Sequence, residues 1–335
     1  MPAFPFPAVI MLRSSLLAAA VAAALAPSAH AQTARNDYPV KPVKLVVGFA
    51  PGGAVDFLGR LIGDKFREGL GQSMIVENRA GAGGNIATEY VARADPDGYT
   101  VLVASFGPIT VSPSLYRKLP YDPVRDFTAI SNLVAVENVL VVHPSVPAKN
   151  VKELIALTRR TRGGITYGSS GVSTTGHLAG ELFRQQTGAE MTHVPYKGGA
   201  PAMTALLSGE IQAIFATVPT AVQLIRAGKL RALGATGENR LVALPEVPTV
   251  AEGGVKGFNV SSWYGLLAPA GTASTIVARL NREGHRVLAL ADVKEKLLDQ
   301  GLTPSPSKPE QLAERIRNDI VMWKKVVEKA GIQPE

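Results

Sequence analysis

The chain has 335 residues, with 35 Lys and Arg against 27 Asp and Glu and a formal net charge of +8. The basic excess is spread along the sequence without a clustered run, which points to attraction for small anions and argues against a nucleic-acid stripe. Cysteine is absent, which excludes disulfides, thiolate nucleophiles and cysteine metal sites and suits an oxidising compartment.

The first predicted element is an export signal over residues 11–32. Arg13 supplies a positive region, residues 16–26 an apolar core, and Ala29-His30-Ala31 a small-x-small cleavage site. The apolar run is too short to span a bilayer and has no polar face to show to solvent. Met11 is the better start, since residues 1–10 hold three prolines and no charge. Removal of residues 1–31 leaves about two domains' length of chain, with no second apolar stretch long enough to cross a membrane.

Beyond the signal, strand-like and helix-like segments alternate. Residues 43–50 read as a strand, followed by Pro51-Gly52-Gly53 and a helix through Leu70 that Gly71 stops. Strands follow at 74–77 and 100–105, with a helix at 85–93 between them. The pattern continues with a strand at 139–143, a helix from Asn150 carrying the capping pair Asn150 and Glu153, and a strand at 166–169. Further segments fall at 178–186, 191–194, 202–207, 211–217, 221–227 and 230–235. The tail at 272–290, 293–298 and 309–329 reads as helical, and those helices are expected to pack back on the first domain. Such alternation predicts an α/β fold of parallel sheets with helices on both faces.

Three glycine-rich turns follow predicted strands: Phe49-Ala50-Pro51-Gly52-Gly53, Ala80-Gly81-Ala82-Gly83-Gly84-Asn85, and Gly168-Ser169-Ser170-Gly171-Val172-Ser173-Thr174-Thr175. Glycine lets backbone N–H groups turn toward a ligand, and a helix start adds positive potential for a carboxylate or phosphate. Turn geometry alone also demands glycine, so an anion site requires two such turns facing one cleft. The second turn resembles a dinucleotide fingerprint but has Ile86 in place of the final glycine.

Catalytic patterns are missing. Gly168-x-Ser170-x-Val172 lacks the last glycine of a nucleophile elbow, and Gly163-Gly164 is followed by Ile165 where a phosphate-binding loop needs Lys. His143, His177, His193 and His285 have no metal-ligand spacing. Asp56 and Glu68 stand more than three turns apart on one predicted helix, too far for paired-carboxylate work. His177 reads equally as a polar residue at a helix start or as a cleft-facing donor.

Taken together, several blocks resemble the Bug family, the extracytoplasmic solute receptors of the tripartite tricarboxylate transporter type. They are Val46-Val47-Gly48-Phe49-Ala50-Pro51-Gly52-Gly53-x-x-Asp56, Val76-Glu77-Asn78-Arg79-x-Gly81-Ala82-Gly83-Gly84-Asn85, Asp95-Pro96-Asp97-Gly98-Tyr99-Thr100 and Leu119-Pro120-Tyr121-Asp122-Pro123. Val194-Pro195-Tyr196-Lys197-Gly198, Leu244-Pro245-Glu246-Val247-Pro248-Thr249 and Trp263-Tyr264-Gly265-Leu266-Leu267-Ala268-Pro269 continue the match in order. The resemblance implies a two-lobed periplasmic binding protein fold of type II. It has two crossings between the lobes and a ligand cleft between them. The first lobe is expected at 32–132 and 254–335, the second at 133–253.

The implied function is binding of a small organic carboxylate in the periplasm for uptake, without catalysis, cofactor or metal. The protein is expected to be a monomer whose partners are membrane transporter subunits. The alternatives are a ligand sensor signalling to a membrane partner, and an α/β hydrolase. By position, the first lobe offers Phe49, Gly52, Gly53, Asp56 and Ser105 to the ligand. The second offers Ser169, Ser170, Gly171, Thr174, His177, Ala216 and Thr217. The chain departs from many relatives at Phe106, Val172 and Ala216, which replace polar groups. If these side chains face the cleft, the ligand is a less polar carboxylate; the alternative is that they point into the lobe cores.

Overall fold

The computed structural model describes residues 1–3 and 38–329. The expected export signal and its cleavage site lie outside the described residues. Three parallel strands begin the fold: β1 (Val43–Val47), β2 (Met74–Asn78) and β3 (Thr100–Ser105). Helices α1 (Ala54–Leu70) and α2 (Asn85–Ala92) connect them. Helix α1 forms because Leu58, Ile62, Phe66 and Leu70 recur at helical spacing and bury one face. Gly71 ends it in the left-handed region at φ 74°, with its N–H on the Arg67 carbonyl. An irregular turn (Gly107–Val111) and the short α3 (Ser112–Leu115) follow β3.

The strand β4 (Phe127–Val142) is 16 residues long and belongs to two sheets. Its first part, Phe127 to Glu137, pairs antiparallel with β9 (Ser261–Pro269), which in turn pairs with β3. Its last part, Asn138 to Val142, pairs with β7 (Ala213–Thr217) on one side, and Val139 to Val142 pair with β8 (Arg231–Ala235) on the other. The second sheet continues through β5 (Ile165–Ser169) to β6 (Met191–Pro195), both parallel to β7's direction of travel through β5. Its helices are α4 (Val151–Arg160), α5 (Thr175–Thr187), α6 (Gly199–Leu207) and α7 (Val218–Arg226). The Asn150 side chain accepts from the Glu153 N–H at 2.9 Å, so the capping pair starts α4 as its spacing predicts.

The chain returns at Val260, whose N–H still bonds Thr236 of the second sheet, and Ser261, which already pairs with Glu137. Helices α8 (Ser274–Ala289) and α9 (Ala291–Asp299), strand β10 (Leu302–Pro304) and α10 (Pro309–Lys329) complete the fold. Strand β10 pairs with β4, and α10 buries Leu312, Ile316 and Trp323 in the core. The result is two lobes joined by two strand crossings. The sheets are mixed rather than purely parallel, because β4 and β9 run antiparallel to their neighbours as they pass between lobes. Among the described residues, no helix is long and apolar enough to cross a membrane.

Candidate functional site

The first-lobe wall starts where β1 runs through the turn Phe49–Gly53 into α1. Gly53 is the N-cap and no side chain caps that helix, so its first N–H groups have no intrahelical acceptor. Asp56, in the first turn, reaches back to the turn instead. Its carboxylate accepts from the Gly52 N–H at 2.9 Å, Arg60 Nε at 3.0 Å and Asn78 Nδ2 at 2.9 Å. Burial alone would raise the Asp56 pKa, but those bonds outweigh it and hold the carboxyl below its ordinary value. Asp56 therefore fastens the turn and does not border the cleft. Ser105 closes β3, in register with Tyr264 of β9, and both line the cleft.

The second-lobe wall is the turn from Ser169 to Thr174 and the start of α5. The Ser169 hydroxyl accepts from the Gly171 N–H at 3.1 Å and lies 2.7 Å from His193 Nε2, so it braces the turn from behind. Thr174 is the N-cap of α5, yet its hydroxyl donates to the Gly171 carbonyl at 2.7 Å and leaves the helix start uncapped. His177 turns inward and stacks on His193 with ring centroids 4.4 Å apart. Burial lowers both pKa values; for His193, at about 3, the neighbouring His177 and then Arg184 add to it. Both imidazoles are neutral at neutral pH. Ala216 sits on β7 opposite Val139 and packs in the apolar cluster with Ala202 and Val222.

These walls enclose one cavity. Its lining includes Gly53, Ala54 and Val55 at the start of α1, and Thr174, Thr175 and Gly176 at the start of α5. Gly199 at the start of α6 and Thr217 at the N-cap of α7 also line it. Four helix N-termini converge there, none with a side-chain cap, and their partial positive charges favour an anion. The rest of the lining is Phe49, Ser105, Phe106, Gly107, Asn138, Ser170, Ser262 and Tyr264, so among the described residues no charged side chain borders the cavity. Asn138 is committed at the crossing: its Nδ2 donates to the Phe215 carbonyl at 2.9 Å and its Oδ1 accepts from Thr175 at 3.2 Å.

Of the residues singled out from sequence, the structure brings Phe49, Gly53, Ser105, Ser170, Thr174 and Thr217 to the cavity. Gly52, Asp56, Ser169, Gly171, His177 and Ala216 do not line it. Phe106 borders it but packs its ring edge-on to Trp323 at 5.1 Å, and Val172 packs against the same core. Ala216 is also in a lobe core, so of these three positions only Phe106 borders the cavity. The start of α5 is marked by the third glycine-rich turn, whereas the start of α6 at Gly198-Gly199 stands outside the three turns. Ser262 and Tyr264 also stand outside them, because nothing local marks 261–264 as a strand returning beside β3.

The lobes meet beyond the cavity. The Ala50 N–H donates to the Lys197 carbonyl at 3.1 Å, and the Ser112 and Ser173 hydroxyls share a bond of 3.0 Å between fully buried side chains. Ser112 is also 2.9 Å from Asn85 Oδ1. Gly107 approaches so closely that an added Cβ would lie 2.6 Å from the Ser173 carbonyl oxygen. Ser173 itself holds a left-handed backbone at φ 64°, a conformation strained for a residue with a Cβ.

The sequence profile of the tripartite tricarboxylate transporter family receptor matches residues 58–332. The chain belongs to this receptor family. BugT of Bordetella pertussis is 36% identical over 302 residues, spanning 90% of this chain and 93% of BugT. A protein of R. palustris solved with adipate is 38% identical with a TM-score of 0.86, spanning 89% of this chain and 100% of that one. MatC of Rhodopseudomonas palustris, solved with bound malate, is 33% identical with a TM-score of 0.82, spanning 87% and 100%. As a member of the tripartite tricarboxylate transporter receptors, this protein is a solute receptor and not an enzyme.

Proposed function

We propose that this receptor closes its lobes on a small dicarboxylate in the periplasm and presents it to membrane transporter subunits. The observation that carries the reading is the convergence of four uncapped helix N-termini on one cavity without a charged side chain. Backbone N–H groups from both lobes can then hold a carboxylate only when the lobes are together. The structural neighbours solved with adipate and malate carry ligands of this kind.

In this reading Phe49, Gly53, Ser105, Ser170, Thr174 and Thr217 touch the ligand, joined by the first turns of α1, α5 and α6 and by Tyr264. Gly52, Asp56, Ser169, Gly171 and His177 hold the turns in place. The lobes are taken as 32–132 with 254–335, and 133–253, after export and removal of residues 1–31. The protein acts as a monomer. A thermal-shift panel of mono-, di- and tricarboxylates tests the function. A ligand at one hundred times its dissociation constant stabilises the fold by about 2.7 kcal/mol, and a panel with no shift at millimolar concentrations refutes it. Mass spectrometry of exported protein is expected to show an N-terminus at Gln32.

A further inference from the structure

Four tyrosines of the described chain are buried, and three have hydroxyls with a firm partner. Tyr38 donates to the Gly98 carbonyl, Tyr121 to the Pro108 carbonyl and Tyr167 to Glu181, each at 2.7 Å. The fourth, Tyr264, is 6% exposed and packs its ring in the first-lobe core, yet its hydroxyl meets no protein partner among the described residues. Its remaining exposure opens on the cavity it lines. The Ser105 hydroxyl, on the residue in register with it, is likewise without a protein partner and also lines the cavity. Both hydroxyls keep access to the cavity, so a ligand that fills it would bury them, and a buried hydroxyl is seldom left without a partner.

We infer that Tyr264 is the residue that selects a dicarboxylate, its phenolic O–H donating to the ligand carboxylate received by the first lobe. Three helix starts of the second lobe hold one carboxylate, and Tyr264, Ser105 and the start of α1 face it from the other lobe. A ligand with an acceptor at one end only leaves these donors unpaired in a closed cavity. Burial pushes the phenol pKa upward, so the group stays protonated and does not repel an anion. Phenylalanine at this position would keep the ring packing and lose only the donor.

The inference rests on the proposed carboxylate reading, and the test separates the two. Calorimetry on wild-type and Tyr264→Phe protein uses the tightest-binding dicarboxylate of the panel and the monocarboxylate of equal chain length, succinate and butyrate for a four-carbon ligand. Tyr264→Phe is expected to weaken the dicarboxylate roughly 10- to 150-fold, the range for hydrogen bonds to charged groups. The monocarboxylate should change less than about 3-fold, and the ligand-free melting temperature should hold, since the ring is retained. Ser105→Ala should weaken the same ligand in the same direction. Unchanged dicarboxylate affinity in Tyr264→Phe, or an equal loss for both ligands, overturns the role of Tyr264 alone. Wild-type protein that binds no dicarboxylate overturns the carboxylate reading and the inference with it.

Discussion

Replacing Gly107 with alanine separates lobe closure from folding. Gly107 has no positive φ, so alanine brings no backbone strain there, and the added methyl meets the other lobe. The Cβ would stand 2.6 Å from the Ser173 carbonyl oxygen, where real contacts stop near 3.0 Å and become ordinary at 3.4 Å. The lobes must therefore part by 0.4 Å (3.0 minus 2.6) to 0.8 Å (3.4 minus 2.6) at that point. Ser173 moves with its own carbonyl, so the 3.0 Å Ser112–Ser173 bond stretches to between 3.4 and 3.8 Å. Losing that bond, worth about 0.5–1.5 kcal/mol, weakens closure by the same amount, or about 2- to 12-fold in ligand affinity. Calorimetry reads the loss, and a melting curve without ligand should match wild type within a few degrees. Wild-type affinity in Gly107→Ala, or a loss of affinity matched by collapse of the ligand-free fold, refutes the reasoning.

Asp56→Ala should lower the ligand-free stability by about 1–3 kcal/mol, because the Gly52 N–H and Arg60 Nε lose their acceptor, while Asn78 keeps the Phe49 carbonyl and Arg60 keeps Asn78 Oδ1. The Asp56 pKa is depressed in the fold, so its contribution is present above the ordinary carboxylate value and is lost as pH falls through the folded value; the variant's deficit should shrink in acid. The His177–His193 pair acts in the same direction for a different reason. Unfolded histidine takes a proton near pH 6.5 while His193 resists until about 3, so melting temperature should fall as pH drops through that window, and less steeply in His193→Gln. Finally, aspartate should bind at least 100-fold more weakly than succinate, since among the described residues no carboxylate borders the cavity and burying an unpaired ammonium costs several kcal/mol. Tighter binding of aspartate would place an acid at the ligand and contradict the lining.

The parts of the site legible in the sequence are those where glycine and a helix start coincide. Residues 49–54 and 168–175 combine a β-rich run, glycine and an amphipathic segment, and each builds a cavity wall. Asp56 was recognisable as a helix-start acid, but the turn that folds its carboxylate back on Gly52 was not, because that contact depends on Asn78 arriving from β2. His177 follows the N-cap by three residues, and only the stacking of His193 from β6 fixes its inward direction. The first part of β4 was missed because Ser131 and Asn132 interrupt its apolar run. They are polar for the contacts they make with Ser305 and Ser307, 173 to 176 residues away. Strand β9 went unseen for a related reason: its register is set by β3 and β4, far away in the chain.

The hinge has a mechanical character of its own. Strand β4 passes from one sheet to the other without a break, and the return at Val260–Ser261 stays hydrogen-bonded through the crossing. Such a joint flexes like a leaf spring: it allows a limited twist and restores its rest angle, where a loop would swing freely. Asn138, at the fulcrum, also borders the cavity. A molecule seated there works on the short arm of the lever, and a displacement of a fraction of an ångström at the pivot grows toward the outer rims of the lobes.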